Sequence, residues 1–199
     1  MSLDVAIIDS GGANLASLQF ALERLGAQSL VTSDVAVIAA APRVLLPGVG
    51  SALAAMQRLN ASGVAAHLPK LRQPVLGICL GMQLLFLKSE EGPAQGLGIL
   101  PQTVRKLVPK PGRPVPHMGW NRLHIVREDP LLEGVAEGEY LYFVHSFAAP
   151  VAPTTLATCE YGVPIAAVVR KDNFWGTQFH PERSTKVGAR ILANFLGLT

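Results

Sequence analysis

The chain begins with an unbroken apolar run, Val5-Ala6-Ile7-Ile8, bounded by Asp4 and Asp9 and followed by the turn residues Ser10-Gly11-Gly12. A short apolar run closed by turn chemistry predicts a strand buried on both faces. The period then changes. Leu15, Leu18, Leu22 and Leu25 recur at helical spacing, with Asn14 placed to cap the helix and Gly26 to end it. The alternation repeats. Residues 43–46 predict a second strand, closed by Pro47-Gly48-Val49-Gly50, and Ser51 caps a helix reaching Leu59. Residues 74–78 predict a third buried strand, which passes without a loop into a helix over 80–87. Strands alternating with helices imply a parallel sheet covered on both faces.

After about residue 99 the rhythm shortens. Strands are predicted over 104–108, 122–126, 140–144, 155–158, 165–169 and 175–179, with turns between them, and a final helix over 185–196. The expected architecture is α/β, with a mixed, mainly parallel sheet flanked by helices and antiparallel strands added to a parallel centre. No linker, repeat or low-complexity stretch interrupts the chain. The whole of 1–199 is therefore expected to form one domain, with the Pro-rich segment 109–116 as a loop.

Composition narrows the function classes. The net charge is only +3, and the one basic cluster, Arg105, Lys106, Lys110 and Arg113, has no interleaved aromatics, so no nucleic-acid partner is expected. The two cysteines, Cys79 and Cys159, are far apart and lack metal-ligand spacing; no metal and no organic cofactor is expected, and a reduced, cytoplasmic setting is. The N-terminus has no basic leader, and no uncharged apolar run is long enough to span a bilayer.

The chemistry concentrates at three places. In Gly77-Ile78-Cys79-Leu80-Gly81 an apolar strand ends on Cys79 and a helix begins at once. A lone cysteine in an apolar setting is ordinarily a small core residue. Glycines at minus two and plus two change that, because they permit the tight strand-to-helix turn of a nucleophile elbow. The helix N-terminus then favours a thiolate and lends N–H groups to an oxyanion. In Gly176-Thr177-Gln178-Phe179-His180-Pro181-Glu182, His180 sits at a predicted strand end with a carboxylate two residues on, able to hold one ring nitrogen while the other serves the thiol. The strand exit Leu46-Pro47-Gly48-Val49-Gly50 is a Gly-rich loop, and such a loop can present N–H groups without Cβ hindrance at its glycines.

These three motifs in this order resemble the class I, triad glutamine amidotransferases, and the resemblance runs the full length of the chain. It implies a flavodoxin-like fold, Cys79 as nucleophile, His180 as acid and base, and Glu182 as its orienting partner. It further implies that Gly48, Val49 and Leu80 form the oxyanion hole. Within that family, Asp9-Ser10-Gly11-Gly12-Ala13-Asn14-Leu15, Pro116-His117-Met118-Gly119-Trp120-Asn121 and Tyr142-Phe143-Val144-His145-Ser146-Phe147 are similar to the glutaminase subunits of imidazole glycerol phosphate synthases. That similarity implies glutamine binding by Gln83, Glu91, His145, Ser146 and Phe147. It implies a heterodimer with a (β/α)8-barrel cyclase, through an interface using Asn14, Met118, Trp120, Asn121, Tyr142 and Arg183. Ammonia would pass to the cyclase for a step of histidine biosynthesis. Phe147 replaces a frequent Tyr, and Arg183 a frequent Lys, which presents its charge differently. A glutaminase serving another synthase, a cysteine hydrolase acting on another amide and a non-enzymatic binding module stay open on the residues alone.

Overall fold

The structure is a computed structural model, described over residues 3–11, 15–93 and 95–199. The first part of the chain runs β1 (Val5–Ile8), α1 (Leu15–Arg24), β2 (Ser29–Thr32), α2 (Val35–Ala40), β3 (Val44–Gly48), α3 (Ala52–Ala61), α4 (Val64–His67), β4 (Val75–Cys79) and α5 (Leu80–Leu84). The second part runs β5 (Phe86–Ser89), β6 (Leu100–Lys106), β7 (His117–Arg122), β8 (His124–Ile125), β9 (Tyr140–His145) and β10 (Phe147–Ala148). It closes with β11 (Thr155–Glu160), β12 (Pro164–Lys171), β13 (Phe174–Thr177) and α6 (Thr185–Gly197).

Eight strands make the main sheet in the order β2-β1-β3-β4-β13-β12-β11-β8. The first five are mutually parallel and the last three antiparallel, as expected of a mixed sheet. Its parallel half has the 2-1-3-4-5 order of flavodoxin-like sheets, in which ligands bind beyond the carboxyl ends of the strands. The apolar runs are explained by burial on both faces. Val5 and Ile7 pack with Leu18 and Leu22 of α1 and Ile191 and Phe195 of α6, whereas Ala6 and Ile8 pack with Ile38, Leu59 and Leu68 on the other side. Every residue of β1, β3 and β4 is buried.

The sequence expectation holds for α1, whose Leu18 and Leu22 are buried and whose end is followed by Gly26 at φ 79°. The proposed cap Asn14 lies outside the described residues. Ser51 does cap α3, its hydroxyl accepting from the Ala54 N–H at 3.3 Å. Two expectations are corrected. The helix over 80–87 stops at Leu84, and 86–89 becomes β5, parallel to β6. The cause is the returning chain. The N–H groups of Leu97, Leu100, Gly98 and Gly96 take the carbonyls of Leu84, Leu85, Phe86 and Leu87, which a continuing helix would have needed. Gly96 permits this approach, since a Cβ there would collide with the Phe86 carbonyl. The strand expected over 122–126 is two strands, β7 and β8. They turn at buried Leu123 and pair with β9 and β11 respectively.

Strands β7 and β9 form a separate two-stranded antiparallel ribbon with two distinct faces. His117, Leu141, Phe143 and His145 are buried, whereas Met118, Trp120 and Tyr140 are exposed. Strict alternation along both strands produces this split.

Candidate active site

Cys79 closes β4 and immediately precedes α5, with φ 54° and ψ −110°. This left-handed backbone is strained for a residue with a Cβ, and strain of this kind gathers at functional sites. The flanking glycines are required by contact. A Cβ on Gly77 would come 2.7 Å from the Gly81 carbonyl oxygen, and one on Gly81 would be driven into the Leu46 carbonyl. Gly48 pairs with Cys79 across the sheet, and a Cβ there would sit 3.0 Å from the Gly81 nitrogen. The three glycines therefore bring β3, β4 and α5 together closely enough to present Cys79 beside the 48–49 exit.

His180 follows β13 and is held from behind. Its N–H donates to the Tyr142 carbonyl at 2.9 Å, and its carbonyl accepts from the Ser184 hydroxyl at 2.7 Å. The same hydroxyl oxygen accepts the Tyr142 N–H at 3.0 Å, fastening the His180 turn to β9. Gly188 lets α6 pack under this turn, because a Cβ would strike the Pro181 carbonyl. Nδ1 of His180 lies 2.8 Å from Glu182 Oε1, both side chains being nearly enclosed. Burial alone would lower the pKa of His180. Hydrogen bonds to Cys79 and Glu182, and their charge, reverse this and raise it to about 10. Once protonated, the ring is held in that form by its partners and can donate a proton to a leaving group.

These groups open into a cavity of about 380 Å³. Nine of the residues singled out from the sequence line it: Val49, Cys79, Leu80, Gln83, Glu91, His145, Ser146, Phe147 and His180. Glu182 stands behind His180, and Gly48 lies in β3 beside Cys79. A larger cavity of about 620 Å³ near Asp129 and Glu133 lies apart from this chemistry. Glu91 Oε2 accepts the Ala52 N–H at 2.7 Å, tying the cavity rim to the start of α3. Gln83 Nε2 donates to the Phe147 carbonyl at 2.8 Å and to Gln178 Oε1 at 2.9 Å.

Sequence reasoning missed Gln178. It is fully buried, and its Nε2 approaches Cys79 Sγ at 3.9 Å. No sequence signal marks it, because it lies one residue beyond the end of β13 at Thr177, outside the strand alternation. Among the expected interface residues, Met118, Trp120, Tyr142 and Arg183 group together. Trp120 meets Tyr142 edge to face at 5.8 Å, and the Arg183 guanidinium lies 5.9 Å from the Tyr142 ring. Asn121 faces the other way, its amide donating to His117 and to the Glu160 carbonyl, so its side chain is not part of that exposed group. Among the described residues no cluster of His, Cys, Asp and Glu could hold a metal ion, and no helix is long and apolar enough to cross a membrane.

The family model for glutamine amidotransferase class I matches residues 6–198. The chain belongs to the class I glutamine amidotransferases. It is 54% identical over 196 residues, 98% of each chain, to the imidazole glycerol phosphate synthase subunit HisH of Xanthomonas oryzae pv. oryzae. It is 53% identical to the HisH subunit of Xylella fastidiosa, over 97% of this chain and 96% of that one. At this identity and coverage the amidotransferase is one of the imidazole glycerol phosphate synthase glutaminase subunits, acting in histidine biosynthesis, and this membership implies a partner subunit. Solved structures share the fold. A putative GMP synthase component from Thermoplasma acidophilum has a TM-score of 0.75 at 19% identity, covering 99% of this chain and 94% of that one. PurLQS from Thermotoga maritima has a TM-score of 0.75 at 19% identity, covering 99% of both chains.

Proposed function

We propose that residues 1–199 act as a single amidotransferase domain in which Cys79, His180 and Glu182 hydrolyse glutamine and release its ammonia to a (β/α)8-barrel cyclase. The observation that carries this reading is that a strained Cys79 and His180 line one cavity, with the Glu182 carboxylate 2.8 Å behind the His180 ring.

In the first step the Cys79 thiol passes its proton to His180 as Sγ attacks the side-chain amide carbon of glutamine, and a C–S bond forms as the carbonyl oxygen becomes an oxyanion. The N–H groups of Leu80 and the Gly48–Val49 exit take up that charge. His180 delivers its proton to the leaving nitrogen, the C–N bond breaks, and ammonia departs with a glutamyl thioester left behind. Water then loses a proton to His180 and attacks the thioester, giving glutamate and free Cys79. Gln83, Glu91 and the 145–147 segment hold the α-ammonium and α-carboxylate. Glu91 suits the ammonium because one of its oxygens is already committed to α3 and fixes the other in place.

The cyclase docks on the exposed face of the β7–β9 ribbon, with Met118, Trp120, Tyr142 and Arg183 at its centre. Aromatics and Met flanked by Arg are the composition of an interface core. Asn14 belongs to the same interface by family resemblance. Ammonia transferred inside a sealed junction escapes protonation by water. The cyclase uses it on a phosphoribulosyl carboxamide nucleotide. The setting is cytoplasmic, in keeping with two free, buried cysteines.

The test is glutamate release with and without the cyclase and its nucleotide ligand, against Cys79→Ala. Low activity alone, large stimulation by the cyclase and none in Cys79→Ala support the proposal. Activity indifferent to the cyclase removes the partner, and none under any condition removes the glutaminase.

A further inference from the structure

Beside the cavity runs a chain of side-chain hydrogen bonds whose proton positions are fixed by its two ends. The Phe147 carbonyl can only accept, so His145, whose Nδ1 lies 2.8 Å away, carries its proton there. The Nε2 of His145 is then a lone pair, and His117 Nδ1, 2.9 Å from it, must donate. His117 Nε2 is left to accept, and Asn121 Nδ2 supplies the hydrogen at 3.3 Å. The orientation of that amide is set twice, because its nitrogen also donates to the Glu160 carbonyl at 2.9 Å and its oxygen accepts the Arg122 N–H at 2.8 Å. Reversing any link leaves two donors or two acceptors face to face.

Both rings are consequently neutral, and both carry their proton on Nδ1. Burial agrees: it lowers the pKa of His117 to about 4 and, with the neighbouring His117 and His180, that of His145 to about 3. A neutral His145 with both nitrogens engaged exchanges no proton with Cys79, so it is not a second base. What it does is mechanical. It grips the Phe147 carbonyl alongside Gln83 Nε2, while the Ser146 carbonyl accepts the Leu107 N–H at 2.9 Å. The three-residue wall 145–147 is thereby held from both sides.

We propose that His117 is a positioning residue for glutamine hydrolysis: with Asn121 it locks His145 as the Nδ1–H tautomer and so fixes the Ser146–Phe147 wall of the Cys79 pocket. The role rests on the glutaminase reading, while the lock does not. His117 itself touches no substrate; its ring is stacked between Tyr161, at 3.9 Å, and Phe143, at 5.0 Å.

The experiment has two arms. In the first, nitrogen-15 NMR of histidine-labelled full-length chain reads the tautomers directly. Neutral Nδ1–H signals for both His117 and His145 are expected, and an Nε2–H tautomer for either overturns the lock. In the second, glutamate release is measured for the complex with the cyclase. His117→Phe keeps the stacked ring and removes both nitrogens; it raises KM for glutamine about tenfold with kcat within about threefold. His117→Asn, which puts an amide donor near the Nδ1 position, recovers most of that loss. An unchanged KM in His117→Phe, or an equal loss in both variants, overturns the positioning role. Should His117→Phe fail to fold, the wild-type tautomers and His117→Asn decide. A wild-type complex that releases no glutamate overturns the glutaminase reading and the role with it, while the NMR arm still judges the lock.

Discussion

Glu182 Oε1 reaches His180 Nδ1 at 2.8 Å although only Pro181 separates the two residues, because a single 3-10 turn over Pro181–Arg183 bends the carboxylate back beneath the ring. The short connection makes the pair a rigid unit. Glu182→Gln keeps the size and an acceptor oxygen but removes the charge. It is expected to lower kcat for glutamine by about 10²-fold or more, the scale of losing an orienting carboxylate or a tuned acid-base group. The pH profile moves as well. Despite its burial, His180 is raised to about 10 by Cys79 and Glu182, so the protonated ring needed by the leaving ammonia is present below that pH and lost above it. Without the Glu182 charge, the alkaline limb of glutamate release shifts to lower pH. An unmoved limb would detach Glu182 from the titration of His180.

The backbone of Cys79 makes a prediction about stability. At φ 54° any side chain with a Cβ is strained, at a cost of about 1–3 kcal/mol. Cys79→Ala and Cys79→Gly both abolish thioester formation, yet they separate in stability. The glycine variant relieves the strain and is expected to melt about 2–4 °C above the alanine variant, corresponding to about 1 kcal/mol in a chain of this size. Differential scanning calorimetry of the two inactive variants is the measurement, and a lower melting point for Cys79→Gly would mean that the elbow is unstrained.

Much of this site was legible in the sequence because it obeys local rules. Cys79 announced itself through Gly77 and Gly81, and the reason is now geometric: Gly81 has no room for a Cβ against the Leu46 carbonyl. His180 and Glu182 were legible because two residues of separation suffice for contact. The buried strands were legible as apolar runs. What was hidden depended on distant partners. The 86–89 segment has helix-compatible residues and becomes a strand because residues 96–100 return to take its carbonyls. Gln178 carries no mark until its contacts with Gln83 and Cys79 are seen. Asn121 sits between two outward residues of β7 and turns inward because strand alternation leaves it no other side.

The same steric argument predicts two opposite glycine substitutions. Gly81→Ala drives a methyl into the Leu46 carbonyl at the β3–α5 junction and is expected to destabilise by more than about 3 kcal/mol, in the range of overpacking and backbone displacement. Gly197, the last residue of α6, meets nothing within 4 Å, and Gly197→Ala is expected to change stability by less than about 1 kcal/mol, toward stabilisation. Urea unfolding of both variants tests this. Similar midpoints for the two would discard the packing explanation for the Gly-x-Cys-x-Gly motif.

His117 and His145 predict an unusual acid limb of stability. Their pKa values fall from 6.5 to about 4 and about 3, chiefly through burial. A histidine depressed in the folded state favours folding while it is neutral in both states, so the contribution is whole above about pH 6.5. It drains as pH falls, because the unfolded chain binds the protons and the fold refuses them. Near pH 5 the unfolded state holds about two more protons than the folded state, and unfolding free energy is expected to drop by roughly 2–3 kcal/mol per pH unit. His180 acts in the opposite sense, losing its contribution as pH rises through about 10. Chemical denaturation between pH 7 and 5 reads the slope, and a flat profile would mean that the two rings protonate within the fold.

Trp120 offers the sharpest separation of docking from folding. Its ring is about half exposed, at 49%, and meets Tyr142 edge to face on the outer side of the β7–β9 ribbon, so the isolated chain gains little from it. If the cyclase covers this face, the ring becomes fully desolvated only in the complex, and truncation then removes interface energy rather than core energy. Trp120→Ala is expected to leave the melting temperature of the isolated chain nearly unchanged and to weaken cyclase binding at least tenfold, about 1.4 kcal/mol, mostly through faster dissociation. Stimulated glutaminase falls at limiting cyclase and returns when the cyclase is raised to saturation, because the triad itself is intact. Calorimetric titration of the two subunits checks the affinity. Unchanged affinity would place the cyclase on another surface, whereas lost activity at saturation would make Trp120 part of the activation step as well as of the contact.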